Sequence, residues 1–165
     1  MVEKSGNAVR CVTHGHAPAA ARLSLPQRIH TIVVRVREIM EEFAPDCVAV
    51  EEAFYHESVR STLVLGHVRG ALLVAALDRG VEVAEYTPRE IKLSVAGTGA
   101  AAKEQVEFMV RRLLAIRGPL QSDASDALAV AMCHIHRSGR SAPARAASAA
   151  AQRLEALLSR RRRGS

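Results

Sequence analysis

Apolar positions recur at helical spacing over Leu25–Phe43, where Ile29, Ile32, Val33, Val36, Ile39, Met40 and Phe43 share one stripe. Ser24 before Leu25-Pro26 supplies an N-cap and a proline in the first turn, and Pro45 stops the helix. A short β-leaning run over 47–51 follows and breaks off at Glu51-Glu52. Leu63, Val64, Val68, Leu72 and Ala75 predict a helix over 57–78 with those residues on one side, ended by Gly80. Residues 81–86 predict another strand, and Thr87-Pro88 opens a helix to about residue 95. Beyond the Gly97-Thr98-Gly99 break, a helix over 100–116 turns Val106, Met109, Val110, Leu113 and Leu114 inward. An alanine-rich helix over 122–136 closes the pattern with Leu128, Val130 and Met132. Ahead of all this, residues 1–4 and 8–13 flank Ser5-Gly6-Asn7 as a β-hairpin. A leading hairpin, then strand, helix, strand and helices, indicates an α/β layered domain.

Composition narrows the class. The 165 residues suit one domain with a real core. There is no Trp and only 3% of the residues are aromatic, which argues against a single-strand binder built on stacking platforms. No run of eighteen consecutive apolar residues and no signal-peptide layout is present, so a soluble, cytoplasmic protein with no membrane partner is expected. Cys11, Cys47 and Cys133 are odd in number and far apart, fitting neither a disulfide framework nor a zinc knuckle. The formal charge of +6 is unevenly spread: residues 139–165 carry seven arginines against Glu155 alone, while the first 138 residues balance. The chain therefore divides into a folded domain over 1–138 and a basic tail over 139–165, expected to be disordered and suited to a polyanion or to solubility.

Candidate chemistry gathers at two places. In open α/β sheets sites form at the carboxyl ends of strands, which puts Glu51 first, its plain alternative being a surface charge. Asp123 and Asp126, three residues apart, share a face in the first turn of the last helix, where Ser122 or Asp123 also qualifies as the N-cap. Three convergent carboxylates would suit Mg²⁺ and metal-assisted phosphodiester hydrolysis. The pairs His14/His16 and His134/His136 read as ordinary histidines rather than zinc ligands.

Five blocks occur in order: VAVEEAF at 48–54, LGHVRG at 65–70, YTPREIK at 86–92, GTGAAAKEQV at 97–106 and QSDASDALAVA at 121–131. Over residues 1–138 they closely resemble the RuvC family of crossover (Holliday) junction endodeoxyribonucleases. The resemblance implies a ribonuclease-H-like mixed sheet flanked by helices, a homodimer, and two Mg²⁺ ions per site, with Mn²⁺ as a substitute. It implies paired symmetric nicks in four-way junction DNA during recombination and repair, and partnership with the RuvA–RuvB branch-migration complex. By motif, Glu51, Asp123 and Asp126 match the family's catalytic metal ligands. Lys92 and Lys103 match basic positions near the scissile phosphate, Phe54 matches an aromatic set against junction bases, and Arg69 lies in the LGHVRG block as a further DNA contact. Two alternatives remain: a junction-binding protein that does not cut, and a related nuclease acting on RNA.

The family opens with a strand written about as Gly-Ile-Asp-Pro-Gly, whose aspartate bridges both metals, and these residues contain no counterpart. The resemblance thus implies three acids where the family has four. It also implies unpaired edges on the hairpin and on the strand ending at Glu51, with the central strand missing between them. The sequence reading expects a translation start upstream, or else a truncated protein that no longer cuts.

Overall fold

In the computed structural model of the chain, residues 1–6, 8–52 and 58–138 are described. Ala53–Glu57 and the tail from residue 139 lie outside them, and with them the expectations for Phe54 and for the basic tail. Strands β1 (Val2–Ser5) and β2 (Ala8–Cys11) form the leading hairpin, turning at Gly6 with φ +57°. Then come α1 (Leu25–Phe43), β3 (Cys47–Glu51), α2 (Val59–Leu77), β4 (Glu82–Tyr86), α3 (Pro88–Ala96), α4 (Lys103–Leu113) and α5 (Ser122–Ser138).

Among the described residues the strands make two ladders, β1 antiparallel to β2 and β3 parallel to β4, with Glu51 level with Tyr86. Between β1 and β3 runs a cleft of ≈ 720 Å³, lined by Val2 and Lys4 on one side and Cys47 and Ala49 on the other. His134 and Ile135 of α5 also line it. Each ladder thus keeps an unpaired edge there, as the sequence anticipates.

Alternation along β3 divides the core. Val48 packs with Val33 and Met40 of α1 and Ala75 and Ala76 of α2. Ala49 packs on the other face with α3, α4 and α5, where Val110, Leu128, Met132 and Cys133 are almost wholly buried. Glu51 shares the parity of Ala49 and so belongs to the α5 face, while Glu52 belongs to the opposite one.

Local signals set most element ends. The Ser24 N–H donates to Gln27 Oε1 at 3.0 Å at the start of α1. Thr87 and Glu90 close a reciprocal capping box on α3, and these hydrogen bonds hold the Glu90 carboxyl below the usual carboxylate range. Helix α4 is shorter than its apolar spacing suggests. It begins at Lys103 because the Ala102 N–H is taken by Gln105 Oε1 at 2.9 Å. It ends in a Schellman motif, with Ala115 at φ +50° and the Ile116 N–H on the Arg111 carbonyl at 2.9 Å. An alanine in this left-handed position gives no sequence signal of the kind a glycine would.

The inward stripes are also narrower than expected. Val106, Val110 and Leu114 face the core at intervals of four, leaving Leu113 45% exposed. On α2, Leu63 is 60% exposed, on the outer side with Val59, Val74 and Leu77 rather than with the inward Ala75. By length and composition α2 is apolar enough to cross a membrane. The count of consecutive apolar residues missed this because Arg60, Ser61, Thr62, His67 and Arg69 interrupt the run.

Leu128 is 2% exposed at the centre of the larger cluster. Leu128→Ala should lower unfolding free energy by about 2–5 kcal/mol, read as a shifted urea midpoint with unchanged slope.

Candidate active site

The parallel pair β3–β4 brings two chain ends to one edge of the domain. Beyond Glu51 the ladder is extended by the Glu52 N–H on the Tyr86 carbonyl at 2.8 Å. Beyond Tyr86 the chain caps at Thr87 and enters α3, so Lys92 arrives one turn into that helix. Helix α5 starts at the same edge, its first turn closed by the Ser125 N–H on the Gln121 carbonyl at 2.9 Å. Asp126 stands next to the buried Ser125 and lines the site together with Ala129 and Val130.

These elements enclose a cavity of ≈ 250 Å³ lined by Glu51, Lys92, Lys103 and Asp126, with Pro88, Ile91, Val106, Ala129 and Val130 as its apolar wall. Lys103, the first residue of α4, donates to Asp126 Oδ2 at 2.8 Å. This hydrogen bond raises the Lys103 pKa, and the charges of Asp126, Asp123 and Glu107 add to the effect. Burial raises the Glu51 pKa, and the charge of Asp126 raises it further, while Lys103 and Lys92 oppose the shift. Two carboxylates and two ammonium groups therefore share one small site.

Four residues singled out in the sequence, Glu51, Lys92, Lys103 and Asp126, meet in this cavity. Asp123 lies one turn before Asp126, off the cavity wall but near enough for its charge to act on Lys103. Arg69 is directed elsewhere: its guanidinium pairs with Glu85 of β4. Phe54 is outside the described residues. Neither histidine of the second pair is at the site. His134 Nδ1 is 2.9 Å from the Tyr86 hydroxyl and 3.9 Å from Cys47 Sγ, and His136 Nδ1 is 3.1 Å from Ser94 Oγ.

Arg89 escaped the sequence reading. Its side chain lies against Gly99, where an added Cβ would come within 2.7 Å of Arg89 Cγ. The glycine thus lets the arginine stem lie on the loop that carries Lys103 into α4. The sequence signal was available, since Arg89 and Lys92 are three apart on one helix.

Among the described residues no three His, Cys, Asp or Glu side chains cluster as a metal-ligand set. Glu51 and Asp126 still suit a hard divalent ion, which takes one or two carboxylates and completes its shell with water and phosphate oxygens. The Asp126 charge adds to the effect of burial in raising the Glu51 pKa, and a cation between the two carboxylates would relieve that repulsion.

An α/β domain that gathers two acids and two lysines in a cavity at the end of a parallel strand pair has the layout of a phosphodiester-cleaving enzyme. The family profile described as "Crossover junction endodeoxyribonuclease RuvC" matches residues 1–134. Curated proteins of that description are similar: that of Syntrophomonas wolfei is 39% identical over 137 residues, covering 82% of this chain and 80% of the relative. That of Halorhodospira halophila is 43% identical over 148 residues, covering 90% and 87%. Thermus thermophilus RuvC superposes with a TM-score of 0.74 at 36% identity, covering 84% of each chain. The T. thermophilus RuvC in complex with Holliday junction substrate gives 0.78 at 35%, covering 83% of this chain and 84% of that one. The chain belongs to the RuvC family and has its ribonuclease-H-like fold.

Because the Glu51 pKa is raised on folding, its ionisation opposes folding: the cost is complete at neutral pH and fades as pH falls through the folded pKa. Glu51→Gln should therefore raise Tm near pH 7, with the gain shrinking toward about pH 4. A thermal melt series across that range checks it, and a gain that grew on acidification would contradict the assignment.

Proposed function

We propose that the chain is a metal-dependent endonuclease that makes paired nicks in four-way DNA junctions, serving recombination and repair. The observation that carries this reading is the convergence of Glu51, Asp126, Lys92 and Lys103 in one cavity, in a chain that superposes on a family member bound to Holliday junction substrate. Glu51 and Asp126 offer carboxylate oxygens to Mg²⁺, or to Mn²⁺ in its place, and Asp123 is the third donor the family implies. Two such ions, when bound, supply the charge that activates a water and stabilises the leaving oxygen. Lys92 and Lys103 hold phosphate oxygens against the cavity, whose apolar wall is Ile91, Val106 and Val130. Arg69 and Phe54 are further DNA contacts in this reading, Arg69 after leaving Glu85 for a phosphate. Arginines and lysines on phosphates make binding steeply salt-dependent.

A four-way junction offers two equivalent strands, which a two-fold dimer with two sites matches. Helix α2 supports such a dimer. Val59, Leu63, Val74 and Leu77 leave 56–65% of their surface exposed along one side. Gly66 and Gly70 lie on that exposed side, and a methyl added at either meets nothing within 4 Å. Two mid-helix glycines cost about 1 kcal/mol each relative to alanine, and nothing among the described residues requires them. Close approach of a second α2 would account for them. The RuvA–RuvB branch-migration complex is the partner that family membership implies, and the DNA substrate implies a cytoplasmic location.

A synthetic four-way junction incubated with the protein and Mg²⁺ tests the activity, with a structured RNA in parallel. Paired symmetric nicks in the junction, abolished by EDTA and reduced at least about a hundredfold in Asp126→Asn, are expected. Junction binding without nicks in either metal would instead mark a non-cutting binding protein, and preferential RNA cleavage a different nuclease. For the dimer, Leu63→Asp with Val74→Asp should convert the sedimenting species to monomer. An unchanged mass would place the interface elsewhere.

A further inference from the structure

Lys103 has two claims on it. Its ammonium is spent on Asp126 Oδ2 at 2.8 Å, and Asp126 is one of the two carboxylates lining the cavity. Both side chains are about half exposed, so the pair is a weak and exchangeable one rather than a fixed strut. The Lys103 backbone, by contrast, is held firmly. It opens α4 directly after a cap made by Gln105, and Ala101 two residues earlier is 1% exposed. Arg89 lies across Gly99 in the same turn. A flexible ammonium on a fixed base can therefore leave Asp126 for another anion that enters the cavity.

We infer that Lys103 is a competing counter-cation at the metal site: its ammonium occupies an Asp126 oxygen that a divalent ion needs, and metal binding releases it toward the substrate phosphate. This rests on the metal-site reading above. It makes Lys103 a positioning residue that couples two ligands. A divalent ion at Asp126 frees the ammonium for phosphate, and a phosphate that draws the ammonium away frees Asp126 for the ion. Linkage requires the two effects to be equal. Lys92 provides the internal contrast. It faces the same cavity and acts on Glu51 through its charge, but Lys103 alone of the two is hydrogen-bonded to Asp126.

The test is Mn²⁺ binding to the full chain without DNA, followed by calorimetry, so that no turnover enters the reading. Lys103→Met and Lys103→Gln should bind Mn²⁺ about threefold to tenfold more tightly than the parent. Lys103→Arg should stay near the parent value, and Lys92→Met should gain less than about twofold. Equal gains for Lys92→Met and Lys103→Met would reduce the effect to general charge and overturn the competition. Unchanged or weaker binding in Lys103→Met would overturn it as well. Asp126→Asn separates the levels: if it binds Mn²⁺ as well as the parent, or if the parent binds none, the metal-site reading fails and takes this inference with it. If Asp126→Asn loses binding while Lys103→Met gains none, only the competition fails.

Discussion

The burial of α5 is the constraint on which the rest of this domain depends. The helix packs against α3, α4, β1, β3 and β4, and Ala124, Ser125, Leu128, Ala129, Met132 and Cys133 are almost wholly removed from solvent. Small residues among these let neighbouring elements approach closely, while Leu128 and Met132 lock the helix's rotation. Rotation matters because Asp126 follows Ser125 directly. A turn of the helix by one residue's angle would carry the carboxylate away from Glu51 or into the core. The apolar packing that holds the fold is thus also what fixes the site's geometry, and Asp126 contributes little to that packing itself.

The site's electrostatics follow from the crowding. Burial, and after it the charge of Asp126, leaves Glu51 easier to protonate than a free carboxylate, and Lys103 and Lys92 oppose that shift without abolishing it. A site so arranged carries a standing penalty that a cation can relieve, which is consistent with stability given up for function. Glu90, on α3, is by contrast held ionised chiefly by its capping box, and it also pairs with Arg137 of α5 at 3.1 Å. Two glutamates on neighbouring elements are thus shifted in opposite directions by burial in one case and by backbone hydrogen bonding in the other.

Helix α2 shows a different compromise. Its inner side covers the β3–β4 ladder with Ala75 and Ala76, yet its outer side is also apolar and carries two glycines with no close neighbour among the described residues. A solitary domain would gain solubility from charges there. The outer side makes physical sense when another surface removes it from water, and its length of roughly 27 Å from Val59 to Leu77 gives that surface a long line of contact.

Periodicity and capping in the sequence determined the elements. Ser24 with Pro26, Thr87 with Pro88, and the alternation over 47–51 act over a few residues, so α1, β3 and the start of α3 were legible from local chemistry. Resemblance of five blocks marked Glu51, Asp123 and Asp126 with Lys92, Lys103, Arg69 and Phe54, but nothing local says that Glu51, Lys92, Lys103 and Asp126 are the ones that meet. Their meeting depends on β3 pairing in parallel with β4 and on α5 lying across both, contacts between residues 35 to 87 positions apart. Only the tertiary structure decided that Lys103 pairs with Asp126, that Arg69 turns to Glu85, and that Leu63 and Leu113 face outward. An apolar stripe read from spacing tells which residues prefer burial. Which of them find a partner depends on where the neighbouring helix and sheet lie, and that is set by packing over the whole domain.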